Sequence, residues 1–243
     1  GMTLSFALES IHKLNIVCIA HGIINFGPTK IKVFPEGESC KFNLLWSLSQ
    51  KSFFKDDSNH ASFVLGLPYE VYPPQSQCRE VILVGHCGLS SSSIQYFYAL
   101  YAFCKIYQTL EAAGIKVFYR PHPQDDIERA RSIFPNVSIT EKDELLASYR
   151  RIFIGIESSL IFEAREFGHT TIGLDSSDLK QKHNRAFDVD FEVSSDNFDN
   201  LPDLILEIFE KSMLADLDKC ENLKFRFNKC LQKIDEFNVT HQS

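Results

Sequence analysis

The sequence predicts an α/β protein built on a parallel sheet, and three observations carry that prediction. From about residue 78 to 195, short apolar runs of strand length alternate with segments of helical spacing. Glycines close two of the predicted helices, Gly114 after residues 93–113 and Gly168 after residues 159–167. The polar clusters follow the apolar runs instead of interrupting them, the arrangement expected where strands end on a ligand-binding sheet edge. Together they predict a Rossmann-like domain over residues 78–243, ending in C-terminal helices, after a shortened N-terminal α/β portion over residues 1–75.

In chain order, residues 2–13 suit a short helix, and NIVCIAHG is an apolar run of strand length that stops at His21-Gly22. Residues 31–34 read as a strand ending in Pro35-Glu36-Gly37-Glu38. FNLLWSLSQKSFF has helical spacing, and ASFVLGLPYEVYPPQSQ is a strand running into a connector. The boundary is expected in residues 72–77, where Pro73-Pro74 continues neither kind of element.

The second half is more regular. Strands are expected at residues 81–84, 117–119, 137–139, 152–154 and 170–174, and helices at 93–113, 126–134, 143–149 and 159–167. A Gly/Ser turn, residues 88–93, separates the first strand from the long helix. In FDVDFEV, Phe187, Val189, Phe191 and Val193 alternate with acids, so Asp188 and Asp190 are expected to face solvent on a strand and not to form a metal motif. The tail holds two amphipathic helices, LPDLILEIFEKSMLADL and ENLKFRFNKCLQKIDEF.

Composition narrows the partners. Of 243 residues 44% are hydrophobic, enough for a packed core, and Phe outnumbers Trp 21 to 1. A net charge of -7 repels nucleic acid and acidic membranes, so any bound anion must be met by a local cluster. The 7 cysteines form no C-x-x-C pair, which favours reduced thiols over a disulfide framework or zinc site. No apolar run approaches the roughly 18 residues of a membrane span, and the N-terminus shows no basic stretch leading into an apolar one. A cytoplasmic protein without a transmembrane segment is expected, with peripheral attachment to the inner membrane left open.

The chemistry gathers at two strand ends. Ser158-Ser159 opens a predicted helix, where unpaired backbone N–H groups and the positive dipole end suit a phosphate. Either serine would equally serve as an ordinary N-cap. His122 stands between Pro121 and Pro123, which stiffen the loop that presents its imidazole. Arg120 before it is a phosphate contact or a surface ion-pair partner. Glu163 falls one turn into the same helix, where it could accept from a ribose hydroxyl pair or simply complement the dipole.

The combination of VILVGHCGLSSSSIQ, R-P-H-P and S-S-L-I-F-E-A resembles the nucleotide-binding half of bacterial GT-B glycosyltransferases, closest to the sialyltransferases and polysialyltransferases of capsule and lipooligosaccharide synthesis. The resemblance covers about residues 78–195 and implies that His122-Pro123 and Ser158-Ser159 hold the phosphate and cytidine of a CMP-sugar donor. Arg120, Glu163, Gly88 and Ser90 would complete the nucleotide site. That family's acid-acid-Gly motif is matched only by Pro35-Glu36-Gly37, which makes Glu36 the implied base. HGIIN and R-P-H-P are also similar to motifs of CDP-glycerol and teichoic-acid transferases, in which His21 and Gly22 would lie on the acceptor side. The expected partners are a nucleotide-sugar donor and an oligosaccharide or lipid-linked glycan acceptor, with no resident cofactor, metal or nucleic acid. A binding homologue without catalysis is the alternative, and an epimerase with UDP preference ranks below both.

Overall fold

The computed structural model describes residues 17–19, 41–51, 60–72, 74, 76–85, 94–122, 127–134, 136–140, 146, 149–156, 158–174, 188–211 and 222–240. The chain divides into two compact units, one of Gly1–Val71, Asn184–Phe187 and Cys220–Ser243, the other of Tyr72–His183 and Asp188–Lys219. Each is built on a parallel sheet.

In the first unit the described strands are β1 (Val17–Ile19), β2 (Phe42–Leu45) and β3 (Ala61–Val64), paired in that order. Here the expectation of a helix over FNLLWSLSQKSFF is corrected. Phe42, Asn43, Leu44 and Leu45 are all buried, and β2 is bonded on both sides, with Phe42 opposite Val17 and Ala61. A helix would have turned some of these four side chains outward, whereas a central parallel strand buries them all. Helix α1 (Leu48–Lys51) begins only after Trp46, through a reciprocal cap. The Ser47 hydroxyl accepts from the Gln50 N–H at 3.2 Å, while Gln50 Oε1 accepts from the N–H groups of Trp46 (2.8 Å) and Ser47 (3.3 Å). This S-x-x-Q box is legible in Ser47-Leu48-Ser49-Gln50 and marks the true start of the helix.

The last helix, α6 (Leu223–Thr240), belongs to this first unit and not to the second, correcting the assignment of residues 78–243 to one domain. Its Cys230 and Ile234 are buried with Phe42, Leu44, Ala61 and Leu65, and Phe237 meets Phe42 edge-on at 5.7 Å. Arg226 seals the junction by donating to the carbonyls of Leu65 (3.1 Å), Leu67 (2.8 Å) and Tyr69 (3.1 Å).

The second unit contains β4 (Gln77–Val84), α2 (Ile94–Ala112), β5 (Lys116–Arg120), α3 (Ile127–Ile133), β6 (Ser138–Ile139), β7 (Arg150–Gly155), α4 (Ser159–Glu166), β8 (Thr170–Leu174), β9 (Phe191–Val193), a 3-10 turn (Ser195–Asn200) and α5 (Leu201–Glu210). The expected helix over residues 143–149 lies largely outside the described residues. All six strands are parallel, in the spatial order β6-β5-β4-β7-β8-β9. Numbered from β4, that is 3-2-1-4-5-6, the order of doubly wound nucleotide-binding sheets.

Alternation along the strands sends residues to two covered faces. Val81, Leu83, Val117, Tyr119, Ile152, Ile154 and Ile172 join one core with α2, α3 and α5, where Tyr119 packs on Phe134 at 5.3 Å and on Phe103 at 6.2 Å. On the opposite face, Ile161 of α4 lies in line with Gly155 and Val84. Gly114 (φ +72°) and Gly168 (φ +84°) end α2 and α4 in left-handed conformations that glycine adopts without strain.

Both acids of FDVDFEV are exposed, as expected, the Asp188 side chain at 83%. Asp190 also accepts from the Thr171 N–H (2.8 Å), the Thr171 hydroxyl (2.9 Å) and Arg165 Nε (3.3 Å). Its carboxylate ties the chain entering β9 to β8 and α4, because strand β9 starts only at Phe191.

Candidate functional site

In a sheet of this order the chain starts at β4, builds outward through β5 and β6, then returns to build the other way from β7. The two halves diverge between β4 and β7, and the segments leaving their carboxyl ends flank the crevice where ligands of doubly wound sheets bind. Register shows which residues stand there. Val84 pairs with Arg120, Leu83 with Ile154, and Gly155 with Gly173, so the last rungs of β5, β4, β7 and β8 lie side by side.

From β7 the chain passes through Ile156 and Ser158 into α4. Ser158 is extended (φ -140°, ψ 136°), and its hydroxyl accepts from the Leu160 N–H at 3.4 Å, so it is the N-cap of the helix. That long bond occupies the hydroxyl as an acceptor and leaves its proton to donate. Ser159 is the first helical residue and is half-buried. Ser158 is therefore the cap, and both serines stand just beyond the carboxyl end of β7.

The helix reaches this position because Gly155 lacks a side chain. A Cβ there would stand 3.1 Å from Ile161 Cδ1, 3.2 Å from Ile161 Cγ1 and 3.4 Å from Val84 Cβ. Gly155 was not among the expected site residues. Its signal was present, since a glycine closing an apolar strand marks close approach of another element.

The R-P-H-P loop leaves the neighbouring strand. Arg120 is the last residue of β5, and its carbonyl accepts from the Gly85 N–H at 2.7 Å, joining the ends of β5 and β4. Its Nη1 donates to the Pro121 carbonyl at 2.6 Å. Its Nε is enclosed without a hydrogen-bond partner among the described residues. An enclosed orphan donor costs about 1–3 kcal/mol, so this arrangement is kept against a real penalty. Pro121 is buried and His122 partly exposed. Glu163 lies one turn into α4 at 3% exposure, a carboxylate turned into the protein instead of displayed on it.

The structure thus gathers Arg120, His122, Ser158 and Ser159 on segments leaving one sheet edge, with Glu163 on the helix behind. Glu36, His21, Gly22, Gly88, Ser90 and Pro123 lie outside the described residues.

The strongly perturbed groups sit at the other end of the strands. His169 precedes β8, and burial beside Arg151 and Arg150 pushes its imidazole down to about 4 even though the Leu146 carbonyl favours the charged form. Nδ1 accepts from the Arg151 N–H at 3.1 Å, so in the neutral ring Nε2 carries the proton and donates to the Leu146 carbonyl at 3.2 Å. Nearby, burial pushes the Glu80 carboxyl up, but donation from Lys116 (2.7 Å), Arg151 (2.9 Å) and Cys78 outweighs it and holds the group below 4.5. The Cys78 thiol rises to about 11, mainly by burial and further through Glu80. Perturbation here reflects a satisfied polar network that binds strands together, at the end of the sheet away from the crevice.

No protein-family model matches the chain. No curated protein matches it. Among solved structures it is similar to one described as "Crystal structure of GtfA/B complex", with a TM-score of 0.49 and 9% sequence identity over 99% of this chain. The aligned region is 55% of that chain, so the present chain spans about half its length.

Proposed function

We propose that this chain is a GT-B-like glycosyltransferase that moves sialic acid or a similar sugar from a CMP-activated donor to a glycan hydroxyl, with inversion and without a metal. One observation supports it above the others. Ser158-Ser159 follow β7 and Arg120 ends β5 just before His122, on the two strands that flank β4. The positive end of α4 and the two serine hydroxyls suit a phosphate, although the Leu160 and Ile161 N–H groups are bonded to Ser158, and the two polar clusters named by the resemblance leave the same sheet edge.

In this reading the acceptor hydroxyl attacks the anomeric carbon as the bond from that carbon to the phosphate oxygen breaks. The hydroxyl proton passes to Glu36, and CMP departs with its phosphate stabilised by Ser158, Ser159 and a hydrogen bond from His122. Glu163 is assigned to the ribose hydroxyls, while Pro123, Gly88 and Ser90 shape the nucleotide pocket. Glu36 enters on the resemblance alone, as do His21 and Gly22 on the acceptor side. A cytoplasmic location belongs to the same reading; among the described residues no helix is long and apolar enough to cross a membrane.

Calorimetry against CMP, CDP, UMP and UDP tests the binding half, with CMP expected to bind most tightly. Absence of binding to all four overturns the reading. Release of CMP from a CMP-sugar in the presence of a glycan acceptor tests the transfer half. Binding without release would identify a nucleotide-sugar binding protein instead.

A further inference from the structure

We propose that Gly155 and Ile161 are a notch and plug that position the Ser158 and Ser159 hydroxyls, so that ligand affinity is set in part at a buried contact behind the serines. The inference rests on the nucleotide reading for the identity of the ligand. Both residues are positioning residues, with no role in the chemistry itself.

The notch follows from strand register. Ile154 packs into the core on the far face, so its neighbour Gly155 turns toward α4. Leu83 pairs with Ile154, which sets the next residues along, Val84 and Gly155, side by side at the carboxyl ends of β4 and β7. Gly173 of β8, which also lacks a side chain, pairs with Gly155 on the other side. The plug is Ile161, buried in α4, whose Cδ1 and Cγ1 stand 3.1 Å and 3.2 Å from where a Gly155 Cβ would be, with Val84 Cβ at 3.4 Å.

The same isoleucine is tied to the cap. Its N–H donates to the Ser158 carbonyl at 3.0 Å, and the preceding Leu160 N–H donates to the Ser158 hydroxyl at 3.4 Å. How deeply the side chain seats therefore sets the height of the first turn over the sheet, and with it the two hydroxyls. A β-branched residue in a helix keeps essentially one χ1 rotamer, so Cγ1 has no way to swing aside. A methyl group at residue 155 then has to lift the first turn, by a few tenths of an ångström.

CMP affinity, measured well below the melting temperature of each variant, separates positioning from packing. Packing alone would cost stability and leave the affinity of the folded protein unchanged. Positioning predicts that Gly155→Ala weakens CMP about tenfold, because small misplacements of binding groups are costly. Adding Ile161→Val removes Cδ1 and so moves one carbon from helix to strand at constant volume; the double variant should return to within about threefold of wild type. Wild-type affinity in Gly155→Ala, or a double variant as weak as Gly155→Ala, would overturn the proposal. Should Gly155→Ala fail to fold, Ile161→Leu replaces it, since it conserves volume but shifts the branch outward into the notch. It should weaken CMP about threefold on the same grounds, and wild-type affinity there would equally overturn the proposal.

If the wild-type protein bound no CMP, the nucleotide reading would fall, while hydrogen exchange without nucleotide would still decide the pairing. The Ile161 amide should exchange about tenfold faster in Gly155→Ala and slow again in the double variant. The Phe167 amide, bonded to the Glu163 carbonyl at the far end of α4, should not change. Unchanged exchange at Ile161 would overturn the notch and plug whatever the ligand.

Discussion

Arg226 and Gly66 occupy the same corner of the first unit: a Cβ on Gly66 would lie 2.6 Å from Arg226 Nη1, the nitrogen that donates to the carbonyls of Leu65 and Leu67. Gly66 also has φ +80°, a conformation costly for any other residue. Gly66→Ala is therefore expected to destabilise the protein by about 2–3 kcal/mol, adding backbone strain to the displacement of a bonded guanidinium. In an Arg226→Ala background the clash disappears and only the strain remains. Denaturant unfolding of the four proteins should show a smaller cost for the glycine change there. Equal costs in both backgrounds would mean that the guanidinium yields freely.

Ser158 separates capping from binding. Aspartate caps helices as well as serine does, so Ser158→Asp should fold with a melting temperature at or above the wild-type value. Its carboxylate, however, stands where the proposal seats a phosphate, and CMP affinity should fall at least about tenfold. Ser158→Ala should lose about 1 kcal/mol of stability through the missing cap. Wild-type CMP affinity in the aspartate variant would show that the serine only caps.

His122→Ala should abolish sugar transfer and weaken CMP binding, with little change in stability because the side chain lies on a loop and is partly exposed. Full activity in that variant, measured as CMP release, would remove His122 from the site.

Glu80 joins Lys116 of β5 to Arg151 of β7 across β4, and the Arg151 side chain is only 10% exposed. Glu80→Gln leaves that guanidinium short of a counter-charge and should cost about 1–3 kcal/mol in urea unfolding at neutral pH. Because the folded-state carboxyl titrates below its ordinary 4.5, its contribution is complete above that value and fades as pH falls through the folded one. The variant and the wild type should therefore converge in stability in acid.

His169 acts at a higher pH. Its folded value of about 4 lies below the ordinary 6.5, so between those limits the unfolded chain binds more protons and stability rises with pH. About 3 kcal/mol should be lost on acidification from pH 6.5 to 4. Physically, protonated Nδ1 can no longer accept from the Arg151 N–H. His169→Gln should be less stable at pH 7 and lack this slope, which stability measured at several pH values would reveal. A slope unchanged in the variant would place the titration elsewhere.

Much of the second unit was legible before its coordinates. Each strand run around Val81, Val117, Ile152 and Thr170 is short and apolar, and the flanking Gly114 and Gly168 are local signals of helix ends. Beyond that range the reading missed. Phe42–Leu45 gave an ambiguous period because a strand covered on both faces shows no alternation. Asp190 is exposed as expected, but nothing near it in sequence announces its bonds to Thr171 and Arg165.

The sequence by itself determined the local elements, the α/β class and the polar clusters at the ends of β5 and β7, since periodicity, caps and prolines act over a few residues. Tertiary structure alone decided that β7 lies beside β4, that Gly155 admits α4 so close, that the Arg120 Nε is enclosed, and that α6 joins the first unit. Those outcomes turn on which distant apolar faces bury one another and which carbonyls are left to satisfy. Such pairings are non-local, and no short window of residues encodes them.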